Sequence, residues 1–469
     1  MKNINKTITS CLNIQIVNLF LIISTFVITP IFLVNCLFNN INTFIINILI
    51  QLVFNLMISI SKKNYVLSVF LFTFTFFQLS RIFLYFFGLS ELTWNRGYIG
   101  DIFDNDICIF ILKLDYCVLL GINISFWIRN NHKKRITNKL KEFSINNFNS
   151  KVAFILYFFT VGASIFQNLL AFQFVQNNGY VAYYKDFTPP YLIMIMAGFS
   201  KVYFYLYVCV SKRLSKIILF FYFINMVTSI ITGVRAEFVL SLIFLLVIYW
   251  NKKQNFTFYS LVKLILPGLV LFILLFFASI FKSGSMETDI KIKDIFVKFL
   301  DSQGVSIVVP GYYKKFENDI PEKGLAYLFP KQIAVFQNIS RTKFTNRTDE
   351  ALHGFYIAKY ISYRVLGNRY VSGEGMGGAF HADLYIIFGY CGVIIFSILL
   401  GFFSYKLSNI LGGNLKFLLS CSILYWVFYI PRAQPLDIFG EIASVKFWVA
   451  VIGYFFLSVL LSKQRRRSM

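Results

Sequence analysis

The sequence is divided into blocks of about twenty apolar residues, separated by short segments that carry Lys and Arg. A helix of about 20 residues crosses the hydrocarbon core of a bilayer. Backbone that faces lipid has no water to bond, so blocks of this kind must form helices. Only 14% of the 469 residues are charged, against about 25% in soluble domains. The sequence therefore predicts an all-α, polytopic integral membrane protein.

We predict about twelve membrane spans in three regions. Residues 1–281 hold spans one to nine, residues 282–382 form one large polar loop with amphipathic helices, and residues 383–469 hold three spans and a basic tail. The first span has no small-residue cleavage site after it, so we expect a retained helix rather than a signal peptide. The predicted spans are 14–35, 41–60, 65–88, 106–127, 152–174, 190–210, 216–232, 237–250, 261–281, 383–405, 416–431 and 441–462.

The basic residues are distributed unevenly between the two sides of the predicted membrane. Segments on the side of the termini hold 23 Lys and Arg residues, whereas the short loops of the opposite side hold 4. Because cytoplasmic loops are enriched in Lys and Arg, we predict cytoplasmic termini and a non-cytoplasmic 282–382 loop. The same distribution accounts for the net charge of +24 and argues against nucleic acid as a partner.

The first helix predicted in the large loop is amphipathic and ends before Gly304. Its apolar residues follow helical spacing, and they are Ile292, Ile295, Phe296, Phe299 and Leu300. We expect this helix to lie on the membrane or on the helical bundle. A lid over a lipid-facing cleft is the alternative interpretation.

The second helix predicted in the loop covers residues 349–366, with Thr348 as its N-cap and Gly367 after its end. His353 and Arg364 are three turns apart in that helix, so they are predicted to share a face. Arg364 is either a cation placed favourably at a helix C-terminus or part of a binding site, and both interpretations stay open.

A glycine-rich stretch from Ser372 to Asp383 leads directly into the tenth predicted span. Glycine permits close approach of the backbone to a ligand, and the start of the following helix offers N–H groups to an anion. Three titratable residues accompany the glycines, and the alternative is a flexible turn into the span. The candidate residues are Glu374, Gly375, Gly377, Gly378, His381 and Asp383.

Arg235 and Arg432 lie in predicted outer turns, where the positive-inside rule disfavours them. Each either forms an ion pair, with Glu237 or Asp437 respectively, or binds an anion. Arginine holds phosphate oxygens through two parallel hydrogen bonds and stays charged near lipid. We favour the anion-binding interpretation for both.

Four further charges fall within predicted spans, and intramembrane charges are functional candidates by default. Asp115 is predicted to pair with Arg81, and Lys113 and Lys201 are the other two. The seven cysteines and three histidines are scattered, so we predict neither a disulfide framework nor a metal site.

In three features the chain resembles the bacterial O-antigen polymerase family, the Wzy type of oligosaccharide repeat-unit polymerase. These are the topology with one late periplasmic loop, the Gly-Val-Arg-Ala-Glu turn around Arg235, and the glycine-rich entry to a late span from Gly373 to Gly401. The spacing from Arg364 to Gly375 also matches an Arg-x10-Gly pattern of such loops.

The resemblance implies a glycosyltransferase that polymerises undecaprenyl-diphosphate-linked repeat units at the periplasmic face of the inner membrane, without cofactor or metal. It implies lipid-linked donor and acceptor oligosaccharides, surrounding membrane lipids, and a chain-length regulator and flippase of the same pathway as partners. Glu374, His381 or Asp383 would be the general base. The diphosphate would be bound by Arg235, Arg364, Arg369, Arg432, Gly375, Gly377 and Gly378. An O-antigen ligase and a lipid-linked oligosaccharide flippase or other transporter remain the alternatives.

Overall fold

A computed structural model describes the chain at residues 18–90, 94–131, 150–211, 215–231, 235–253, 292–330, 332–333, 344, 346–408 and 415–467. These residues are mostly helical, as predicted. The β pairing found in them is one isolated bridge between Arg96 and Ile102. The all-α class is therefore confirmed for the described part of the chain.

Seven described helices are long and apolar enough to cross a membrane. They are Asn18–Phe38, Ile41–Ser61, Tyr65–Phe86, Asn105–Arg129, Ser150–Gly179, Tyr191–Val210 and Phe380–Ser408. Four shorter apolar helices coincide with further predicted spans, and they are Lys216–Ile230, Glu237–Tyr249, Leu415–Val427 and Val445–Leu461. The ninth predicted span, 261–281, lies outside the described residues. A multi-pass membrane protein follows from these helices, while the count of twelve stays a prediction.

Three segments between membrane helices lie at one end of the bundle, and the glycine-rich stretch is one of them. The other two are residues 39–40, which join the first two helices, and the segment from Trp94 to Asp104, here called the 94–104 turn, which precedes the fourth helix. Tyr98 in that turn donates a hydrogen bond to the carbonyl of Met376, which precedes the helix Phe380–Ser408. At the other end of that helix, the Ser408 hydroxyl donates to Asn64. The glycine-rich stretch and the 94–104 turn therefore share one end, opposite Asn64.

Two membrane helices, Asn105–Asn131 and Phe380–Ser408, pack unusually closely because small residues face each other. A Cβ on Gly121 would lie 2.6 Å from the carbonyl oxygen of Ile394 and from Cβ of Ser397. Only glycine therefore fits at this crossing. The close packing places the first turns of Phe380–Ser408 beside the middle of the neighbouring helix.

The predicted loop contains two helices, Ile292–Gly304 and Val309–Lys315, joined by the 3₁₀ segment Val305–Val308. Phe299 on the first is buried, and its ring lies 5.8 Å from that of Phe76. The amphipathic helix was predicted correctly, and its apolar side chain at Phe299 packs on the bundle. Short 3₁₀ segments follow at Glu317–Asp319 and Gly324–Leu328.

The second predicted loop helix, 349–366, is in fact two helices, Arg347–His353 and Ile357–Leu366, and a third, Asn368–Val371, follows Gly367. Gly354 is extended, with φ −72° and ψ 177°, and ends the first of them. The prediction that His353 and Arg364 share one helical face was therefore wrong. The N-cap is Asn346, whose side chain accepts from the amide of Asp349, rather than Thr348. Gly367, with φ +52°, ends Ile357–Leu366 as predicted.

Candidate functional site

The glycine loop, defined here as residues 373–379, is held in a fixed conformation from both sides. The amide of Met376 donates to the hydroxyl of Ser362 at 3.2 Å, and its carbonyl accepts from Tyr98 at 2.9 Å. The Met376 side chain is fully buried. Gly377 has φ +82°, a conformation that residues with a side chain rarely adopt. The loop is therefore an ordered structure with an essential glycine, and the alternative of a flexible turn is disfavoured.

Arg432 lies against this loop. A Cβ on Gly377 would be 3.2 Å from Nε and 3.4 Å from Cγ of Arg432. The amide of Gly378 donates to the carbonyl of Arg432 at 3.4 Å. The arginine ends a short 3₁₀ helix, Ile430–Arg432. The fold thus brings Gly377 and Gly378 together with Arg432, which lies more than fifty positions later in the sequence. All three were predicted to belong to one site.

The third membrane helix supplies the opposite wall through its π-helical segment Thr75–Leu79. The Phe77 ring lies 5.9 Å from the guanidinium of Arg432, and Gln78 donates to the carbonyl of Pro431. Such π-helical turns recur at functional sites, because they push side chains out of the regular helical register.

Among the described residues, no carboxylate neutralises the charge of Arg432. Within the described part of the chain no ion pair involves Arg432, so the proposed pair with Asp437 does not form. Burial raises the pKa of Tyr98, and the positive charge of the neighbouring Arg432 lowers it. Arg432 is half-buried. A half-buried cation with a neutral neighbour is suited to an anionic ligand.

The other predicted cations lie elsewhere or have partners. Arg364 pairs with Asp319 at 2.6 Å, and Arg369 pairs with Glu374 at 2.6 Å. These two pairs are largely exposed, and neither involves the guanidinium of Arg432. Arg235 begins the helix Arg235–Lys253, and its side chain lies outside the described part of the structure.

The glycine loop continues into a helical segment that carries two buried titratable side chains. His381 and Asp383 are almost completely buried, as is Asp115 from the helix Asn105–Asn131. Nε2 of His381 is 3.4 Å from Oδ1 of Asp115. Oδ1 of Asp383 accepts from the hydroxyl of Tyr313 at 2.7 Å. Burial raises the pKa of Tyr313 well above its usual value, so its proton stays available for that bond.

This buried cluster, defined as Asp115, Tyr313, His381 and Asp383, has unused hydrogen-bonding capacity. In the described residues, Oδ2 of Asp383, both oxygens of Asp115 and both ring nitrogens of His381 have no hydrogen-bond partner. Buried polar groups are normally paired, so such groups indicate a site that meets a ligand or moves a proton. Glu374, by contrast, is 42% exposed and bound by Arg369.

The prediction that Asp115 pairs with Arg81 was wrong. Arg81 reaches outward, where its Nε lies 2.9 Å from Oδ1 of Asp301 and its Nη1 donates to the carbonyl of Arg96 at 2.7 Å. The prediction used only the depth of each residue in the membrane. It took no account of the direction in which each side chain points around its helix axis. Lys113 and Lys201 lie over the rings of Phe44 and Tyr425. These charges form no common mid-membrane site.

Sequence reasoning missed Tyr98, Tyr313 and Arg347. The ring of Tyr370 lies 4.7 Å from the guanidinium of Arg347, which also donates to the carbonyl of Glu374. No spacing in a single sequence indicates these contacts, since each joins segments that are distant along the chain. The one indication available in the sequence was that Tyr98 lies two residues after Arg96 in a predicted outer turn.

The complete arrangement has two parts that adjoin along the chain. A half-buried arginine and a glycine loop form an anion-binding surface, and an acid–base cluster follows it within a few residues. Among the described residues no group of three or more His, Cys, Asp and Glu side chains is close enough to hold a metal ion. The geometry is suited to binding an anion beside a group that accepts a proton.

Comparison with known proteins gives one match. The family model described as O-antigen polysaccharide polymerase Wzy matches residues 19–465, nearly the whole chain. No curated protein and no solved structure matches significantly.

Proposed function

The chain belongs to the O-antigen polysaccharide polymerase Wzy family, and from that premise we propose that it joins undecaprenyl-diphosphate-linked oligosaccharide repeat units. In this proposal the reaction takes place at the periplasmic face of the bacterial inner membrane, with both termini in the cytoplasm. The polymerase function of the family favours this reaction over the ligase and flippase alternatives. The chain-length regulator and flippase of the same pathway are the proposed partners.

The proposed reaction is a glycosyl transfer. A hydroxyl oxygen of the acceptor repeat attacks the anomeric carbon at the reducing end of the growing chain. The bond from that carbon to the phosphate oxygen breaks, and undecaprenyl diphosphate leaves with the electron pair. The hydroxyl proton passes to a general base on the protein. No nucleotide is consumed, because the diphosphate linkage itself supplies the leaving group.

The single observation that carries the proposal is the contact of Arg432 with the glycine loop. Negative charge grows on the diphosphate as it leaves, and fixed positive charge at that place lowers the barrier. Among the described residues, the amides of Gly375 and Gly377 donate no hydrogen bond, so they are available to phosphate oxygens. The amide of Gly378 is bound to the carbonyl of Arg432 and fixes the loop.

The remaining predicted cations take a secondary place in the proposal. Arg364 and Arg369 already hold carboxylate partners, so a diphosphate would have to displace Asp319 or Glu374. Arg235 stays a predicted contributor. We therefore propose Arg432 as the principal cation of the site, and the other three arginines as further contributors.

Asp383 is the general base in this proposal. One oxygen is oriented by Tyr313, and the other has no partner among the described residues. His381 is the second choice, since Asp115 lies beside its Nε2. Glu374 is the third, because its carboxylate is already bound by Arg369 at 2.6 Å.

A strain that lacks the gene tests the function directly. We expect its lipopolysaccharide to carry one repeat unit on the core and no polymer, with restoration by the intact gene on a plasmid. Loss of every repeat unit from the core would point to a ligase or flippase instead. The purified protein, given the lipid-linked repeat alone, should produce longer lipid-linked oligosaccharides and release undecaprenyl diphosphate.

A further inference from the structure

A cavity of about 420 Å³ opens beside residues 39–40 and the 94–104 turn. Its volume lies within the range of about 300–1,000 Å³ that small-molecule sites occupy. Nine residues line it, and none of them is charged. Five of the nine are asparagines, namely Asn39, Asn40, Asn42, Asn95 and Asn105.

Three of these asparagines, Asn39, Asn42 and Asn105, make no side-chain hydrogen bond within the described part of the chain. Asn40 accepts from the amide of Thr43, and Asn95 donates to the carbonyl of Phe103 at 2.9 Å. Asn42 and Asn105 are exposed, and in the described part of the chain their side-chain amides make no hydrogen bond. Each such amide offers two donor hydrogens and an acceptor oxygen. That combination matches a sugar hydroxyl, which both donates and accepts.

Aromatic residues complete the cavity. Tyr85 is 42% exposed at its wall, whereas Trp94 is buried at 4% exposure and forms its floor. A sugar ring presents C–H groups on one face, and an exposed aromatic ring packs well against them. Because the described lining residues carry no charge, the cavity is better suited to a neutral ligand than to a diphosphate.

The cavity is connected to the candidate site by the 94–104 turn. Trp94 and Asn95 line the cavity, and Tyr98 of the same turn donates to the carbonyl of Met376 in the glycine loop. Arg81 fixes the turn between them by donating to the carbonyl of Arg96. A ligand in the cavity therefore lies on the same short segment that contacts the proposed diphosphate site.

We propose that this cavity, here called the asparagine pocket, binds neutral sugar residues of the lipid-linked oligosaccharide. The inference rests on the proposed function for the identity of its ligand. Asn42 and Asn105 bind sugar hydroxyls, and Tyr85 packs against a ring face. The pocket holds the oligosaccharide while Arg432 holds the diphosphate, so one substrate is bound at both of its ends.

The test uses the full-length protein in lipid nanodiscs and the free repeat-unit oligosaccharide, without lipid or diphosphate, as the probe. Calorimetry or saturation-transfer NMR measures the binding. We expect the double variant Asn42→Ala with Asn105→Ala to bind about tenfold more weakly, because two hydrogen bonds of ordinary strength are lost. Tyr85→Ala should weaken binding as well.

Asn178→Ala is the matched control, since Asn178 is equally exposed but bonds only within its own helix. It should bind the oligosaccharide as the unchanged protein does. Equal thermal unfolding of all variants shows that the substitutions act locally, as expected for exposed side chains. Absence of binding to the unchanged protein, or unchanged binding by the double asparagine variant, overturns the proposal.

Failure of the pocket and failure of the proposed function are separable. Oligosaccharide binding that depends on the two asparagines, in a protein whose deletion leaves normal polymer, keeps the pocket and removes the polymerase function. Loss of polymer on deletion, together with binding that ignores both asparagines, keeps the polymerase function and removes the pocket. Arg432→Ala should leave the binding of the free oligosaccharide unchanged, since that probe has no diphosphate.

Discussion

Nε of Arg432 lies 3.2 Å from the point that a Cβ on Gly377 would occupy. The contact joins the turn after the helix Leu415–Val427 to the loop before the helix Phe380–Ser408. It places a cation without an ion-pair partner, within the described residues, against backbone that only glycine forms easily. The following predictions test what that contact and its surroundings do.

Arg432→Ala should lower the polymerisation rate about 100-fold, the usual effect of removing one donor to a developing negative charge. Arg432→Lys should restore little, because lysine cannot form the two parallel bonds of a guanidinium. The measurement is extension of lipid-linked repeats by purified protein. Arg364→Ala is the matched comparison and should cost much less, since its guanidinium pairs with Asp319. Equal losses of polymerisation rate in the two variants would indicate that the diphosphate binds at the protein surface instead of at Arg432.

Gly377→Ala should reduce polymer amount far more than protein level. Its φ of +82° costs an alanine about 1–2 kcal/mol, and the added Cβ would displace Arg432. Gly162→Ala is the control outside the glycine loop, because Gly162 has no positive φ and no atom within 4 Å of an added Cβ. Immunoblots of membranes and electrophoresis of lipopolysaccharide give the two readings. Normal polymer from Gly377→Ala would show that the glycine loop only connects two helices and takes no part in binding the substrate.

Asp383→Asn should lower the transfer rate about 100-fold or more, because a general base contributes at least this much. Tyr313→Phe should cost less, since it removes the orienting hydrogen bond and keeps the carboxylate. Protein amount and melting temperature are measured alongside the rate. If Asp383→Asn retains full activity while His381→Gln does not, the base is the histidine.

Arg81→Ala should destabilise the protein by about 3–5 kcal/mol, the usual cost of leaving one partner of a buried ion pair. Arg81 is 9% exposed and bonds to Asp301 and to the carbonyl of Arg96. Lys314→Ala, which breaks a largely exposed pair with Glu317, should cost about 1 kcal/mol or less. Thermal unfolding followed by limited proteolysis measures both. Equal stability of the two variants would show that the helix Ile292–Gly304 is not anchored by Arg81.

A reporter enzyme active only in the periplasm should be active when fused at Lys323 and inactive when fused after Arg467. The reason is the concentration of Lys and Arg on the side of the termini. A second reporter, active only in the cytoplasm, should give the opposite pattern at the same two positions. Reversed activities at both positions would invert the membrane orientation.

The membrane helices were predictable because each is encoded by a continuous apolar block, and the described helices start and end close to the predicted spans. Local signals also located the end of Ile357–Leu366, where Gly367 supplies a positive φ. They failed at Gly354, because glycine inside a helical pattern does not reveal whether the chain continues or bends. The consequence was a single predicted helix in place of two.

The components of the candidate site were predictable, but their arrangement was not. Gly377 and Arg432 were each chosen for chemistry, and their contact depends on how two membrane helices pack. Arg81 shows the converse, since its expected partner Asp115 was chosen by depth alone. In the structure Arg81 points to Asp301 of the loop, while Asp115 faces His381. Pairing between distant segments is set by helix rotation, which a single sequence does not record.

The close crossing at Gly121 limits where this protein can move. Backbone of one helix there meets Ile394 and Ser397 of the other without intervening side chains, so the two helices cannot slide past each other. His381 and Asp383 lie on the other side of Gly389, whose φ of +65° interrupts the helix Phe380–Ser408. The crossing therefore fixes Asp115 against the second half of that helix, whereas His381 and Asp383 are joined to that half through a glycine. A change in the position of His381 and Asp383 would accordingly bend the chain at Gly389 and leave the crossing at Gly121 intact.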